Sequence, residues 1–457
     1  MNWGLALLAG LLQGAAFLGP DAQPLAWVGV ACLAAALHRA PGGLRAAGML
    51  ALAALVRQAV ALHWWVGTAR HFAPGVAGAA LTLAALGWAT TAVASQVPAM
   101  ALVLTPVRRV PPRFWLPFAW AAGEAVAELT CGFSMTQLLH SQWAQPAVLR
   151  ALAFVGWGPL LLLCLYASVS VGEAAARRDL RLLAPAGLVL GALVGVPPFA
   201  PSDDALEGVG VVHLASSARL PREVPGGTSL LVWPESTVRG NQRLPEGVLP
   251  QPVPLAAFAD TRLPVASVAG LTLRTEGHYL NAAGAFDAEG QLLESRGKAV
   301  LVPVGERAFL GLRGSGEPLT PGTAVPRLSV AGRSVVPLIC YEAFSRPTAF
   351  QGQAAGGTLL AVLASDLPLV GNRFALEQAV GAAILRAVEQ HLPVVRASLA
   401  GPAVIVSSNG KVLARSEPGT SGILTAGSGA PAYSPAVTST VPSPSTVSRT
   451  WSPGFIR

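Results

Sequence analysis

The sequence predicts an α-helical membrane bundle of about seven spans followed by a soluble α/β domain, and three observations carry that prediction. Of 457 residues, 52% are hydrophobic and 12% charged, with a mean hydropathy of +0.53. A soluble globular chain carries roughly a quarter charged residues, so an ordinary cytosolic enzyme is excluded. The hydrophobicity is uneven: residues 1–199 form successive apolar runs, whereas 200–457 alternate in short segments. Finally, 29 Arg and only two Lys, Lys298 and Lys411, give a net charge of +8. These basic residues sit between apolar runs and form no patch interleaved with aromatics, which argues against a nucleic-acid partner.

A span needs about 20 apolar residues to cross the hydrocarbon core. Seven runs approach that length: 2–19, 24–38, 46–66, 75–103, 114–132, 148–171 and 182–199. The second is short. The fourth is overlong, and Pro98 is expected to bend or end it. No basic segment precedes the first run, so it reads as a retained helix and not as a cleaved signal peptide. Arg then sets the orientation. With the N-terminus in the cytoplasm, the inner loops 39–45, 104–113 and 172–181 hold eight Arg, and the opposite loops hold only Arg70. The positive-inside rule favours this arrangement, which leaves residue 200 onward on the outer face. Arg57, His63, Glu124 and Glu128 fall inside spans. Intramembrane charges are functional candidates, but Glu124 and Glu128, four apart on one helix face, could equally face the bundle interior; the sequence leaves both readings open.

From 209 the pattern becomes β-like runs bounded by Gly and Pro: 209–216, 229–233, 263–273, 278–287, 308–312, 327–340, 358–364, 393–399 and 402–407. Between them, 374–391 places Leu376, Val380, Ile384 and Val388 on helical spacing. Strands alternating with helices predict a layered α/β domain over 200–426. The segment 431–457 has 15 Pro, Ser or Thr in 27 residues and is expected to be a disordered tail.

Cys32, Cys131 and Cys164 fall in spans and read as small apolar residues. Cys340 is the one thiol of the soluble half, with no disulfide partner there. It ends an apolar run, VVPLIC. Glu235 closes another, SLLVWPE, and Lys298 opens a third, KAVLVPVGE. A thiol that attacks an acyl group needs a base and a positive charge nearby, and strand ends can present such groups rigidly. His213, His278 and His391, the soluble-half histidines, have no ligand spacing, so a metal is not expected.

WPES at 233–236, K-x-x-L-V-P-x-G-E at 298–306 and ICYE at 339–342 resemble the Glu–Lys–Cys triad of the nitrilase, or carbon-nitrogen hydrolase, superfamily. They look most like its membrane-bound branch, the apolipoprotein N-acyltransferases, and the resemblance spans roughly residues 1–426. It implies an αββα sandwich with Cys340 as nucleophile, Glu235 as general base and Lys298 stabilising the oxyanion. Glu306, Tyr341 and Glu342 match supporting positions of that site. The implied reaction takes an acyl chain from a membrane phospholipid onto Cys340 as a thioester. It then passes to the N-terminal amine of an S-diacylglyceryl-cysteine lipoprotein. The implied setting is the inner membrane of a bacterium, with a monomeric protein whose catalytic domain faces the periplasm.

Three departures from that branch bear on substrate. The family's usual eighth span has no counterpart in 427–457, which makes the chain a divergent member on this reading. VVHLASSARL at 211–220 replaces a Gln-Gly-Asn segment, and ASDLPLVGN at 364–372 keeps Asp366 but lacks an aromatic pair. Arg386, Glu389 and Arg396 are expected to form structural ion pairs, and Lys411 to sit in a hairpin turn. Two alternatives stand beside acyl transfer to lipoprotein: a membrane-tethered amidase using water as acceptor, and a catalytically silent lipid- or lipoprotein-binding relative.

Overall fold

The structure is a computed structural model. It describes residues 2–428 apart from 73–77, 133, 217–220, 222, 239, 256–262, 276, 310–317 and 324–325. The tail expected at 431–457, the segment in which an eighth span was sought, and residues 310–312 of one expected strand all lie outside or mostly outside the described residues. The chain divides into two compact units, 1–199 and 200–457.

The first unit is helical: α1 (Asn2–Ala15), α2 (Leu25–His38), α3 (Gly43–Ala61), α4 (Trp65–Phe72), α5 (Ala79–Val103), α6 (Leu116–Cys131), α7 (Pro146–Val155), α8 (Trp157–Arg177) and α9 (Ala184–Gly195). Alanines such as Ala6, Ala9, Ala46 and Ala53 are buried at the contacts of α1 and α3, while Leu7, Leu8, Leu11 and Leu55 point outward. Small residues at interfaces and large apolar ones outside are the pattern of helices packed in lipid.

Among the described residues, four segments are long and apolar enough to cross a membrane: Pro20–His38, Gly43–Ala61, Ala80–Val103 and Trp157–Arg177. The seven expected runs are therefore not matched one for one. The helices in the first, fifth and seventh runs are 14, 16 and 12 residues long. The run 148–171 is broken at Gly156, whose φ of +78° ends α7 before α8 begins. Pro98, in contrast, neither ends nor interrupts α5, which continues to Val103.

Of the ionisable residues within the runs, Arg57 and Glu124 are buried and Glu128 is half-buried, whereas His63 is exposed, with Nδ1 3.0 Å from the Val60 carbonyl oxygen. Arg57 is buried, donates from Nη2 to Ser95 Oγ at 3.1 Å and stacks over Trp120. Glu124 Oε1 accepts from Trp120 Nε1 and the Leu138 N–H, and Glu128 accepts from Gln137 Nε2. Of the two readings left open for the glutamates, these contacts favour the structural one: the carboxylates hold the 137–138 turn to α6.

Among the described residues, the second unit is built on one continuous hydrogen-bonded sheet of 14 strands. They are β1 (Val209–Leu214), β2 (Leu230–Val232), β3 (Asn241–Gln242), β4 (Gly247–Pro254), β5 (Ala266–Thr275), β6 (His278–Phe286), β7 (Gln291–Gly297), β8 (Leu328–Val330), β9 (Arg333–Ile339), β10 (Leu359–Ser365), β11 (Val394–Leu399), β12 (Val404–Val406), β13 (Val412–Arg415) and β14 (Gly422–Thr425). The main order is β4-β7-β6-β5-β2-β1-β11-β10-β9-β8. Neighbours from β5 through β2, β1, β11 and β10 to β9 run parallel, and β5-β6-β7-β4 is antiparallel.

The sheet folds over, so that β8 and β9 lie against β5 and β6 without pairing to them. Val211, Val232, Val268, Ala283 and Ala285 from one half thereby meet Val335, Ile339, Ala361, Leu363 and Val395 from the other in a closed core. A second core around Trp233, Leu271 and Phe286 covers the opposite face of the β5–β6 half. Two helices, α10 (Arg346–Ala354) and α11 (Arg373–Gln390), pack on β9, β11 and β12. The amphipathic run expected at 374–391 is α11. Asn372 caps it by accepting from the Phe374 and Ala375 N–H groups, and left-handed His391 ends it.

Candidate active site

Parallel strands gather their carboxyl ends at one edge of a sheet, and loops there can hold side chains in fixed register. Glu235 lies three residues beyond β2, Lys298 directly follows β7, Cys340 directly follows β9, and Asp366 directly follows β10. These four strands are far apart in sequence. The structure brings Glu235, Lys298, Glu306 and Cys340 together.

Lys298 Nζ lies 2.8 Å from Glu306 Oε1 and 3.6 Å from Glu235 Oε1. Asn281, on β6, donates from Nδ2 to both carboxylates, at 2.6 Å to Glu235 and 3.1 Å to Glu306. The other oxygens are held by backbone: Ser365 N–H donates to Glu235 Oε2 at 3.0 Å, and Val302 N–H to Glu306 Oε2 at 2.7 Å. The Cys340 thiol points to the Ser365 carbonyl oxygen, 4.0 Å from its sulfur, and sits within electrostatic reach of Glu235, Lys298 and Glu306. Lys298 is 1% exposed, whereas Cys340 keeps partial access to solvent. The thiol is therefore more accessible than the ammonium beside it.

Cys340 has φ of +52°, a left-handed backbone that few non-glycine residues adopt. Ser236, beside Glu235, and Val304, in the Lys298–Glu306 loop, share that property at +57° and +66°. Such strain persists only where surrounding contacts impose it, and it clusters at functional sites.

For Cys340 the imposing contact is Glu342, which is fully buried. Its carboxylate accepts five hydrogen bonds: two from the Arg296 guanidinium at 2.6 and 2.9 Å, and one each from the N–H groups of Ala299, Val300 and Ile339. Glu342 thus ties the cysteine turn to the residues just after Lys298. Tyr341 is buried with its ring packed against Phe344. Asp366 is bound in a separate buried network by Arg396, at 2.7 and 2.8 Å, and by Ser398 Oγ at 2.6 Å. Arg386 pairs with Glu389, and Lys411 occupies the β12–β13 turn.

The electrostatics follow from burial and shared charge. Burial pushes the Glu235 carboxyl up, Glu306 adds to that push, and Lys298 opposes it; the carboxyl stays above the usual range. Burial, then the negative charge of Glu235, raises the Cys340 thiol well above an ordinary cysteine. Burial alone would lower the Lys298 ammonium, but Glu306 and Glu235 hold it above the usual lysine range. The site at rest is a neutral thiol next to a basic carboxylate and a permanent cation. That arrangement suits a nucleophile activated by proton removal during attack, and a cation placed where an oxyanion develops.

Asn281, Arg296 and Ser365 were not singled out in the sequence. Asn281 had a signal, a lone amide in an otherwise apolar strand. Arg296 had a weaker one, a charge two residues before Lys298. Ser365 acts through its backbone and leaves no trace in residue type.

The chain belongs to the carbon-nitrogen hydrolase family, whose model matches residues 192–428. Over 89% of its length it is also similar to the apolipoprotein N-acyltransferase of Bordetella bronchiseptica, at 27% identity and over 87% of that protein. The apolipoprotein N-acyltransferase of Brucella suis biovar 1 is 30% identical over 45% of this chain and 39% of its own length. A solved amidase from Nesterenkonia sp. aligns with 47% of this chain and 87% of its own, at 18% identity and a TM-score of 0.33.

Proposed function

We propose that the chain is a membrane-bound N-acyltransferase that moves an acyl chain from a phospholipid to the N-terminal amine of a diacylated lipoprotein, through a thioester on Cys340. The observation that carries this reading is the convergence of Glu235, Lys298 and Glu306 around the partly accessible Cys340 thiol. The similarity to named N-acyltransferases over most of the chain supports it.

In the first half-reaction, Glu235 takes the Cys340 proton as the sulfur attacks the ester carbonyl carbon. Lys298, with backbone N–H groups, stabilises the tetrahedral oxyanion. The C–O bond then breaks, Glu235 returns the proton to the departing alkoxide, and lysophospholipid leaves. In the second half-reaction the acceptor amine attacks the thioester carbonyl. Its proton passes through Glu235 to sulfur as the C–S bond breaks, and the thiol is regenerated. Glu306 and Asn281 position Lys298 and Glu235. Glu342 holds the nucleophile turn.

The helical unit, read as seven crossings with the N-terminus in the cytoplasm, would put residues 200–428 on the periplasmic side of a bacterial inner membrane, where the protein acts as a monomer. A catalytic domain carried on a membrane unit meets lipid-anchored substrates by lateral diffusion, which favours encounter and orientation. The family match supports one second reading: the same acyl-enzyme formed from an amide and discharged to water.

Intact-mass analysis of the purified protein after incubation with phospholipid tests the proposal. The expected result is a mass gain of one acyl chain, removed by hydroxylamine and absent from Cys340→Ala. A folded protein that gains no adduct from phospholipid overturns acyl transfer from lipid; an adduct that discharges to water but not to a diacylated lipopeptide favours the amidase.

A further inference from the structure

The helical unit contains a second concentration of charge, far in sequence from the residues described above. A crevice of about 150 Å³ opens where α2, α5 and α8 end and α3 and α6 begin. Arg108, Arg109 and Arg177 line it together with His38, and Val103 and Trp115 contribute apolar walls. The three guanidiniums are exposed, and none is in an ion pair or side-chain hydrogen bond with the described residues.

Glu173, whose charge reaches His38, does not neutralise them. It is buried and already accepts from the side chain and the backbone N–H of Arg113. The start of the 19-residue α3 also borders the crevice, through Gly42 and Ala46, with no side-chain cap and no acid in its first turn. Helix N-termini favour anions through their free N–H groups and dipole. Three unpaired arginines, an uncapped helix start and an apolar wall in one concave site match the chemistry of a phosphate group attached to a hydrophobic body.

We infer that this crevice binds the phosphate of an acidic membrane lipid, such as phosphatidylglycerol, from the leaflet facing the Arg-rich loops. The inference rests on reading the helical unit as membrane-embedded. It does not involve the acyl donor site: the bound lipid is a stationary ligand that clips the ends of five helices together. Basic pockets between helix ends on the cytoplasmic side are suited to anionic head groups, at about 1 kcal/mol per basic residue.

The test is retention of phosphatidylglycerol by the detergent-solubilised full chain, measured by mass spectrometry of intact protein–lipid complexes. Phosphatidylcholine and inorganic phosphate form separate arms. Each of Arg108→Gln, Arg109→Gln and Arg177→Gln should weaken retention about fivefold, and the triple variant should lose it. Arg70→Gln, an equal loss of charge outside the crevice, should retain lipid like wild type. Equal retention of phosphatidylcholine, undiminished retention by the triple variant, or an equal loss in Arg70→Gln overturns the site. Displacement of the lipid by inorganic phosphate at matched concentration assigns the crevice to a soluble phosphate compound and overturns the lipid assignment. Matching melting temperatures in lipid-free micelles show that the variants are folded. Release of the chain from membranes by alkaline carbonate would overturn the membrane reading and the site together. A carbonate-resistant protein that fails the lipid arms loses only the site.

Discussion

Replacing Arg296 with Met tests the most heavily bonded group near the site. Glu342 has no exposed surface and Arg296 is 4% exposed, so neither charge can turn to water when its partner is removed. Arg296→Met takes away both side-chain hydrogen bonds and leaves the carboxylate with three backbone donors. It also removes the bond from Arg296 to the Pro337 carbonyl on β9. Breaking a buried pair by deleting one partner costs about 3–5 kcal/mol, which corresponds to roughly 10 °C in the melting of a domain this size. Glu342→Gln should cost a similar amount, because it leaves the guanidinium uncompensated. The double variant Arg296→Met/Glu342→Gln should fall short of the sum by about 2–3 kcal/mol, the upper range for groups in one network. Heat or urea denaturation of the detergent-solubilised chain gives the three values, and the rate of acyl-adduct formation gives the effect on the nucleophile turn. An Arg296→Met cost below about 1 kcal/mol, or additivity within about 0.5 kcal/mol, would refute the argument that this pair couples the two loops.

Other residues give sharper tests of position and charge. A Cβ on Gly270 would come within 2.5 Å of Ser236 N and 2.6 Å of Glu235 Cα. Gly270→Ala should therefore cut adduct formation at least tenfold while costing about 1–3 kcal/mol of stability; wild-type adduct kinetics would contradict it. Because the Cys340 thiol is raised, its alkylation by iodoacetamide should keep accelerating beyond the ordinary thiol range near pH 8.5; a plateau below pH 8 would refute this. The same shift has a sign for stability. The protonated thiol favours the folded state at pH values below the unfolded thiol pKa, and that contribution fades as pH rises through the folded value, so Cys340→Ser should gain on wild type in alkaline solution. For acylation, protonating the raised Glu235 carboxyl removes the base, so the rate should fall on acidification at a pH above the usual glutamate value of about 4.3. Asp366→Asn leaves the buried Arg396 without its carboxylate and should destabilise by about 3–5 kcal/mol, read from the denaturation midpoint.

Strands buried on both faces were legible where they are continuous apolar runs, as in β2 and β10. Others were hidden for physical reasons. Strand β4 contains Pro250, Pro252 and Pro254, which argue against a central strand; it forms at the edge of the sheet, where missing N–H donors are tolerated. Strand β7, QLLESRG, reads as a polar loop, yet Glu294 and Arg296 are buried in it because Ser329 N–H and Glu342 satisfy them. The strand that delivers Lys298 was thus concealed by partners distant in sequence. Conversely, the Glu235, Lys298 and Cys340 segments stood out because each ionisable group ends or begins an apolar run. In the helical unit, hydropathy located the apolar segments but could not anticipate that Gly156 would divide one while Pro98 left another continuous.

Two carboxylates share one ammonium in the second unit, so Glu235, Glu306 and Lys298 carry a single surplus negative charge when ionised. In the proposed chemistry, moving the Cys340 proton to Glu235 shifts that surplus from oxygen to sulfur and leaves its amount unchanged. No ion has to enter or leave, and the same proton serves the departing group. Reaction by internal charge displacement lets the machinery stay sealed around Lys298 while Cys340 alone meets the acyl chain. A neutral ester group at the end of a water-poor acyl chain can then be processed without flooding the buried cation.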